Sequence, residues 1–242
     1  MKEFLVGIDA GTTGARCMIF DLAGTVKGSA YREYASVYPR PGWAEQNIEQ
    51  LVSRTMEVCR LAIADAEINA ADIASIGFST QRVVTGPVDR SGVPVRPFIS
   101  WQDTRAQEEV ADVGRRIDSN EYFRIVGVPL IPILMANKML WMRRNEPRLY
   151  EKTYKFTQNQ DYVLKEFGAE GYFVDLPDMS FYGLWGLREN RWSDRLMELF
   201  EVTPDLFGTP TPPGTQVGSI PRAVAEKTGF AVGTPICTKM GH

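Results

Sequence analysis

Histidine is nearly missing from this chain: the single one among 242 residues is His242. A histidine-based nucleophilic triad and a multi-histidine zinc site are therefore excluded within these residues. Any general base here must be a carboxylate, which suits proton removal from an alcohol when it is well placed. Cysteine is scarce too. Cys17, Cys59 and Cys237 are odd in number, far apart and set in apolar sequence. They read as reduced thiols of a cytoplasmic protein rather than a disulfide framework or a metal site. Positive charge shows no surplus, with 27 Lys and Arg against 30 Asp and Glu, so nucleic acid and anionic membranes are not expected partners. No apolar run approaches the roughly 18 residues that a membrane span needs. Lys2 and Glu3 run straight into a strand pattern, which gives no expectation of a secretory leader.

What is present is an ordinary globular composition, 44% hydrophobic and 24% charged, long enough for one large domain or two small ones. The most informative stretch is the first twenty-one residues. Phe4 to Ile8 read as an apolar strand and Cys17 to Phe20 as a second. Between them lie Asp9, Ala10, Gly11, Thr12, Thr13, Gly14, Ala15 and Arg16. A strand–turn–strand unit with two glycines and two threonines lets backbone approach an anion closely, and its N–H groups and hydroxyls can hold phosphate oxygens. Asp9, at the end of the first strand, could hold a divalent metal directly or through water. The loop lacks the Gly-Lys-Ser/Thr ending of a P-loop and the three-glycine spacing of a dinucleotide fold. On the residues alone it reads equally well as an ordinary hairpin turn.

Further along, Thr25 to Ser36 reads as a third antiparallel strand. Asn47 with Gln50 three residues on marks a helix start, and Ile48, Leu51, Val52, Met56, Cys59 and Ile63 fall on one face of a helix running to about Ala66. Short buried strands are expected at Ile73 to Ser79, Val83 to Val88, Tyr154 to Thr157 and Pro235 to Lys239. Helices are expected at about Asp103 to Ile117, Leu134 to Asn145, Gln160 to Phe167, Trp192 to Phe200 and Ala223 to Thr228. Phe173 to Trp185 reads as a loop, and Pro204 to Gly214 as a proline-rich connection. Three antiparallel strands followed by alternating helix and strand predict a mixed sheet with helices on its faces.

In this order the blocks resemble the FGGY family of carbohydrate kinases, within the actin-like ATPase superfamily. Asp9 to Arg16 is similar to the family's first phosphate loop. Pro41-Gly42-Trp43-Ala44-Glu45-Gln46, Ser79-Thr80-Gln81-Arg82, Ser100-Trp101-Gln102-Asp103-Thr104-Arg105, Asp161-Tyr162-Val163-Leu164 and the Asp175 to Trp192 stretch match in sequence. The resemblance covers essentially residues 1–242, but only the amino-terminal half of such a kinase. It implies an α/β, actin-like (ribonuclease H-like) domain with a mixed five-stranded sheet and helices on both faces. It implies ATP and Mg²⁺ as cofactors, a sugar or polyol as substrate, and a carboxy-terminal nucleotide-binding domain as the missing partner. Self-association through the surface meant for that domain is a further expectation.

The resemblance also assigns roles. Asp9 would organise the metal, and Gly11, Thr12, Thr13 and Arg16 would contact phosphate. Gln81 and Arg82 would bond sugar hydroxyls, Trp101 would wall the pocket, and Asp103 would be a sugar ligand or the cap of the next helix. Lys138, Asp161 and Asp175 resemble positions with a mainly structural role. The family's general base, an aspartate, would come just after His242, so no catalytic base is expected within these residues. Two departures stand out: Val83 replaces the glutamate that glycerol kinases carry, and Ile133 falls near their tyrosine. Both remove hydrogen-bonding groups, which disfavours glycerol. A non-catalytic sugar-binding or scaffold domain of the same fold is the alternative.

Overall fold

Alternation in the first strands decides which face of the main sheet is buried. In β1 (Phe4–Ala10), Val6, Ile8 and Ala10 point into the core while Leu5, Gly7 and Asp9 point the other way. In β2 (Gly14–Asp21), Ala15, Cys17 and Ile19 are the buried set. This period of two is what a half-covered strand requires. The computed structural model describes residues 2–238. It places β1 and β2 in a six-stranded sheet ordered Gln216–Ser219, Pro235–Cys237, Ile73–Thr80, β1, β2 and β3 (Val26–Glu33). The meander β1–β2–β3 is antiparallel, and Ile73–Thr80 and Pro235–Cys237 add to it in parallel.

The helix α1 (Ile48–Ala66) crosses the buried face. Asn47 caps it by accepting the Gln50 N–H at 2.9 Å. Ile48, Leu51, Val52, Met56 and Cys59 are buried as their spacing predicts, and Ile63 is half-buried. Each such large apolar side chain contributes about 1.5–3 kcal/mol when removed from water. Gly28 permits the close approach of β3 to α1: a Cβ there would lie 2.6 Å from the Ala62 carbonyl oxygen. The helices Asn159–Phe167 and Arg222–Thr228 pack on this same side, with Phe167 edge-on to Phe78 at 5.1 Å.

Two details differ from expectation. The sheet has six strands, not five, because Gln216–Ser219 joins its edge. Helices lie against one face only among the described residues. On the other, Leu5 is 42% exposed, and Leu5, Gly7, Met18 and Phe20 line a cavity of about 390 Å³.

A second sheet of five short antiparallel strands runs Ser36–Val37, Glu45–Gln46, Phe98–Ile99, Thr85–Val88, Lys155–Gln158. It borders a second core built from the helices Gln107–Gly114, Ser119–Val126 and Met135–Asn145 and an aromatic cluster around Tyr182, Trp192 and Phe207. The first of these helices starts at Gln107, later than the Asp103 expected. Residues 103–106 are held instead by the buried Asp103 carboxylate, described below. The helix Ser119–Val126 escaped the sequence reading. Residues 176–182, expected as loop, form a 3-10 turn. Lys239 and His242, with the junction where a catalytic aspartate was expected to follow, lie outside the described residues.

Candidate active site

The turn between β1 and β2 is closed by the Gly11 N–H donating to the Gly14 carbonyl at 3.0 Å. Gly14 is dictated by its neighbour: a Cβ would sit 2.5 Å from the Arg32 carbonyl oxygen and 2.6 Å from the Tyr31 ring. Tyr34 buttresses the turn from beneath. Its hydroxyl donates to the Gly11 carbonyl, and its N–H to that of Thr13 at 3.1 Å. Burial pushes the Tyr34 hydroxyl pKa well above its usual range, and the nearby Asp9 carboxylate adds to the shift, so the phenol stays a donor.

Thr12, at the tip, meets the rest of the site. The Trp101 indole N–H donates to its hydroxyl at 3.2 Å. The buried Gln46 amide donates to its carbonyl at 3.2 Å, while the Gln81 amide donates to Gln46 Oε1 at 2.6 Å. The Gln81 N–H bonds the Ala10 carbonyl at 3.0 Å, which ties the end of Ile73–Thr80 to the base of the hairpin. Arg82 pairs through Nε with Asp178 at 2.9 Å and lies over the Phe181 ring. The result is an open crevice of about 360 Å³, with Thr12, Gln81 and Arg82 as its polar rim and Val83, Trp101, Ile133 and Phe181 as apolar wall. Trp101 is 41% exposed on it.

Four of the expected residues, Thr12, Gln81, Arg82 and Trp101, are thus brought together. Asp9 and Arg16 face each other across β1 and β2, with Ser79, on Ile73–Thr80, beside Asp9. All three line the adjoining cavity on the open face of the sheet, around the hairpin from the crevice. Arg16 lies over the Tyr31 ring at 5.5 Å. Thr13 is exposed on the outer side of the turn.

Asp103 corrects the sequence reading. It is 1% exposed, and its carboxylate is taken up by the Ala44 N–H at 2.6 Å, by the Arg105 N–H and Nε at 2.9 Å, and by Arg105 Nη2 at 2.8 Å. With its bonds directed to Ala44 and Arg105, it does not cap the helix beginning at Gln107. Sequence reasoning missed Gln46, Asp178 and Phe181 as parts of the site. Gln46 closes the Pro41 to Gln46 block, whose residue types carry no separate signal of a role in the site. Asp178 and Phe181 lie on the 3-10 turn at residues 176–182, where the sequence has no periodicity to mark them.

Behind Arg82, the Asp161 carboxylate accepts the Gln158 N–H at 2.9 Å and the Tyr182 hydroxyl. Burial pushes its pKa up to about 8 against those two bonds. Among the described residues no group of three or more His, Cys, Asp or Glu side chains could hold a metal. Asp9 is instead a lone exposed carboxylate beside Gly11, where a Cβ would lie 3.4 Å from its Oδ2. That suits a cation that keeps most of its shell as water and phosphate oxygen, as Mg²⁺ does.

Residues 4–241 match the pattern that defines the N-terminal domain of the FGGY family of carbohydrate kinases, and the chain belongs to that family. A glycerol kinase from Brucella ovis is 31% identical over 208 residues, covering 84% of this chain and 42% of the relative. Among solved structures, a xylulose kinase from Rhodospirillum rubrum superposes with a TM-score of 0.91 at 23% identity, over 98% of this chain and 48% of that one. A glycerol kinase from Plasmodium falciparum, solved with ADP, superposes with a TM-score of 0.88 at 18% identity, over 98% and 48%. The chain therefore spans less than half the length of these relatives.

Proposed function

We propose that these 242 residues are the substrate-binding half of a kinase that transfers the γ-phosphoryl group of ATP to a hydroxyl of a sugar or polyol. The observation that supports this best is the contact between Thr12 and Trp101. It sets the hairpin that resembles a phosphate loop beside the crevice that carries Gln81 and Arg82. In this reading Gln81 and Arg82 orient substrate hydroxyls with directional, partly charged bonds, and Trp101 covers the carbon face. The Gly11 to Gly14 turn offers N–H groups to the phosphate, and Arg16 offers a guanidinium beside it. Asp9 would hold Mg²⁺ through water, and that ion supplies charge neutralisation between the phosphates. In this reading the general base is an aspartate and a carboxy-terminal domain seats the nucleotide base, as the family resemblance implies. The apolar wall at Val83, Ile133 and Phe181 favours a substrate other than glycerol.

Titration calorimetry with a panel of sugars and polyols tests the crevice. The expected outcome is weak but measurable heat for at least one compound, with affinity reduced about tenfold or more in Trp101→Ala. Equal heats from both proteins contradict the assignment of Trp101. Incubated with ATP, Mg²⁺ and the same panel, these residues alone should form no phosphorylated product above blank.

A further inference from the structure

Val83 has φ of 65°, in the left-handed region. A β-branched residue there is an outlier that persists only where its surroundings enforce it. Two side chains do so. Gln158 Oε1 accepts the Val83 N–H at 3.0 Å, and Lys138 Nζ donates to the Val83 carbonyl at 2.6 Å. Lys138 reaches this point from the helix Met135–Asn145 and is 2% exposed. The same Nζ donates to the carbonyls of Ile99 at 3.2 Å and Ser100 at 3.0 Å. Three donors thus meet three backbone acceptors, the full capacity of an ammonium. The carbonyls belong to the two segments that make the crevice: Val83 follows Arg82, and Ile99 and Ser100 precede Trp101.

We propose that Lys138 is a positioning residue for substrate, holding the Arg82 rim and the Trp101 wall at a fixed separation. The proposal rests on the reading of the crevice as a sugar or polyol site. A lysine is a costly choice for a buried position whose only task is filling space, because an apolar side chain of the same length needs no desolvation. It fits a position where three carbonyls from two separate chain segments must be gathered at one point.

The link is sensitive to pH. Burial pushes the Lys138 ammonium down to about 7, opposed by Asp103 and reinforced by Arg105. A neutral amine keeps two donors and turns a lone pair toward the third carbonyl. The charged groups around it are Asp103 and Arg105 on the loop after Ser100, and Arg82, paired with Asp178, on the neighbouring strand end. Asp161 reaches Val83 only through Gln158.

Lys138→Met separates this role from general support of the fold. Amide hydrogen exchange of residues 82–84 and 99–103 should quicken at least tenfold, while the β1–β2 hairpin keeps its protection. Affinity for whichever sugar or polyol the wild-type chain binds should fall at least tenfold at pH 6.5. Wild-type affinity should decline as pH rises through the Lys138 midpoint, read from its side-chain nuclear resonance, and the variant should show no such dependence. Unchanged exchange in the two segments, uniform acceleration throughout, or wild-type affinity in the variant overturns the proposal. If the variant does not fold, the wild-type pH series decides: coincident midpoints support the role and an affinity flat across the Lys138 midpoint overturns it. If the wild-type chain binds no compound while exchange quickens in the two segments alone, the link between the walls stands and the sugar reading falls.

Discussion

Asp103 and Trp101, two residues apart, divide the labour of one segment. Asp103 folds inward onto Arg105, whose side chain is fully buried and also pairs with Glu45 at 2.9 Å, while Trp101 turns outward to Thr12. Replacing Asp103 by Asn leaves a buried guanidinium with a weaker partner, so we expect a loss of about 2–4 kcal/mol of stability in urea unfolding. Substrate affinity of the folded protein should change little; intact stability with abolished binding would make Asp103 a ligand after all. Asp161 carries a separate pH signature. Its pKa in the folded chain is raised to about 8, above the ordinary carboxylate value of about 3.9. The folded state therefore keeps a proton that the unfolded state has lost, and stability falls as pH rises between those values. Asp161→Asn should flatten the decline in melting temperature between pH 5 and 7, and an unchanged decline would contradict the assignment. The family resemblance made Gln81, Arg82 and Trp101 legible as neighbours. The direction of Asp103 was not, because an aspartate two residues before an arginine reads the same whether it faces a ligand or folds back on itself.

Among the elements, those with strong periodicity and caps were readable. The β1–β2 hairpin and α1 lie where apolar alternation and the Asn47 cap place them. The helix Ser119–Val126 carries equally plain caps: Asp118 accepts the N–H groups of Asn120 and Glu121, both at 3.0 Å, and Gly127 ends the helix with positive φ. The edge strand Gln216–Ser219 had no such mark, since four residues with one buried apolar side chain, Val217, have no period to detect. Two glycines test the packing of these elements. Gly28→Ala drives a Cβ into the backbone of α1 and should cost about 1–3 kcal/mol. At Gly77, on the open face, the nearest atom to a new Cβ is 3.9 Å away, so Gly77→Ala should lie within about 0.5 kcal/mol of wild type. Equal large losses at both sites, measured by urea unfolding, would show that the open face is packed, and equal small ones that β3 and α1 are not in close contact.

At the scale of the whole molecule, the site lies where two sheets meet: the hairpin and the Gln81 strand end belong to one, Gln46 and the strand before Trp101 to the other. Patterns of two and 3.6 residues reveal strands and helices but not which ends converge, so this juxtaposition came from the family resemblance and not from periodicity. The one-sided cover of the main sheet was likewise invisible, because Leu5, Met18 and Phe20 look like core residues on a strand whichever face is filled. Tryptophan gives a direct probe of the convergence. Of the five, Trp43 packs edge-on to Trp141 and Trp185 edge-on to Trp192 within the second core, which leaves Trp101 at the crevice. Nuclear resonance titration of the indole N–H signals with a sugar or polyol should shift Trp101 alone, together with the backbone amides of Thr12, Gln81 and Arg82. Shifts that spare Trp101 and Thr12 while another surface responds would contradict the shared crevice.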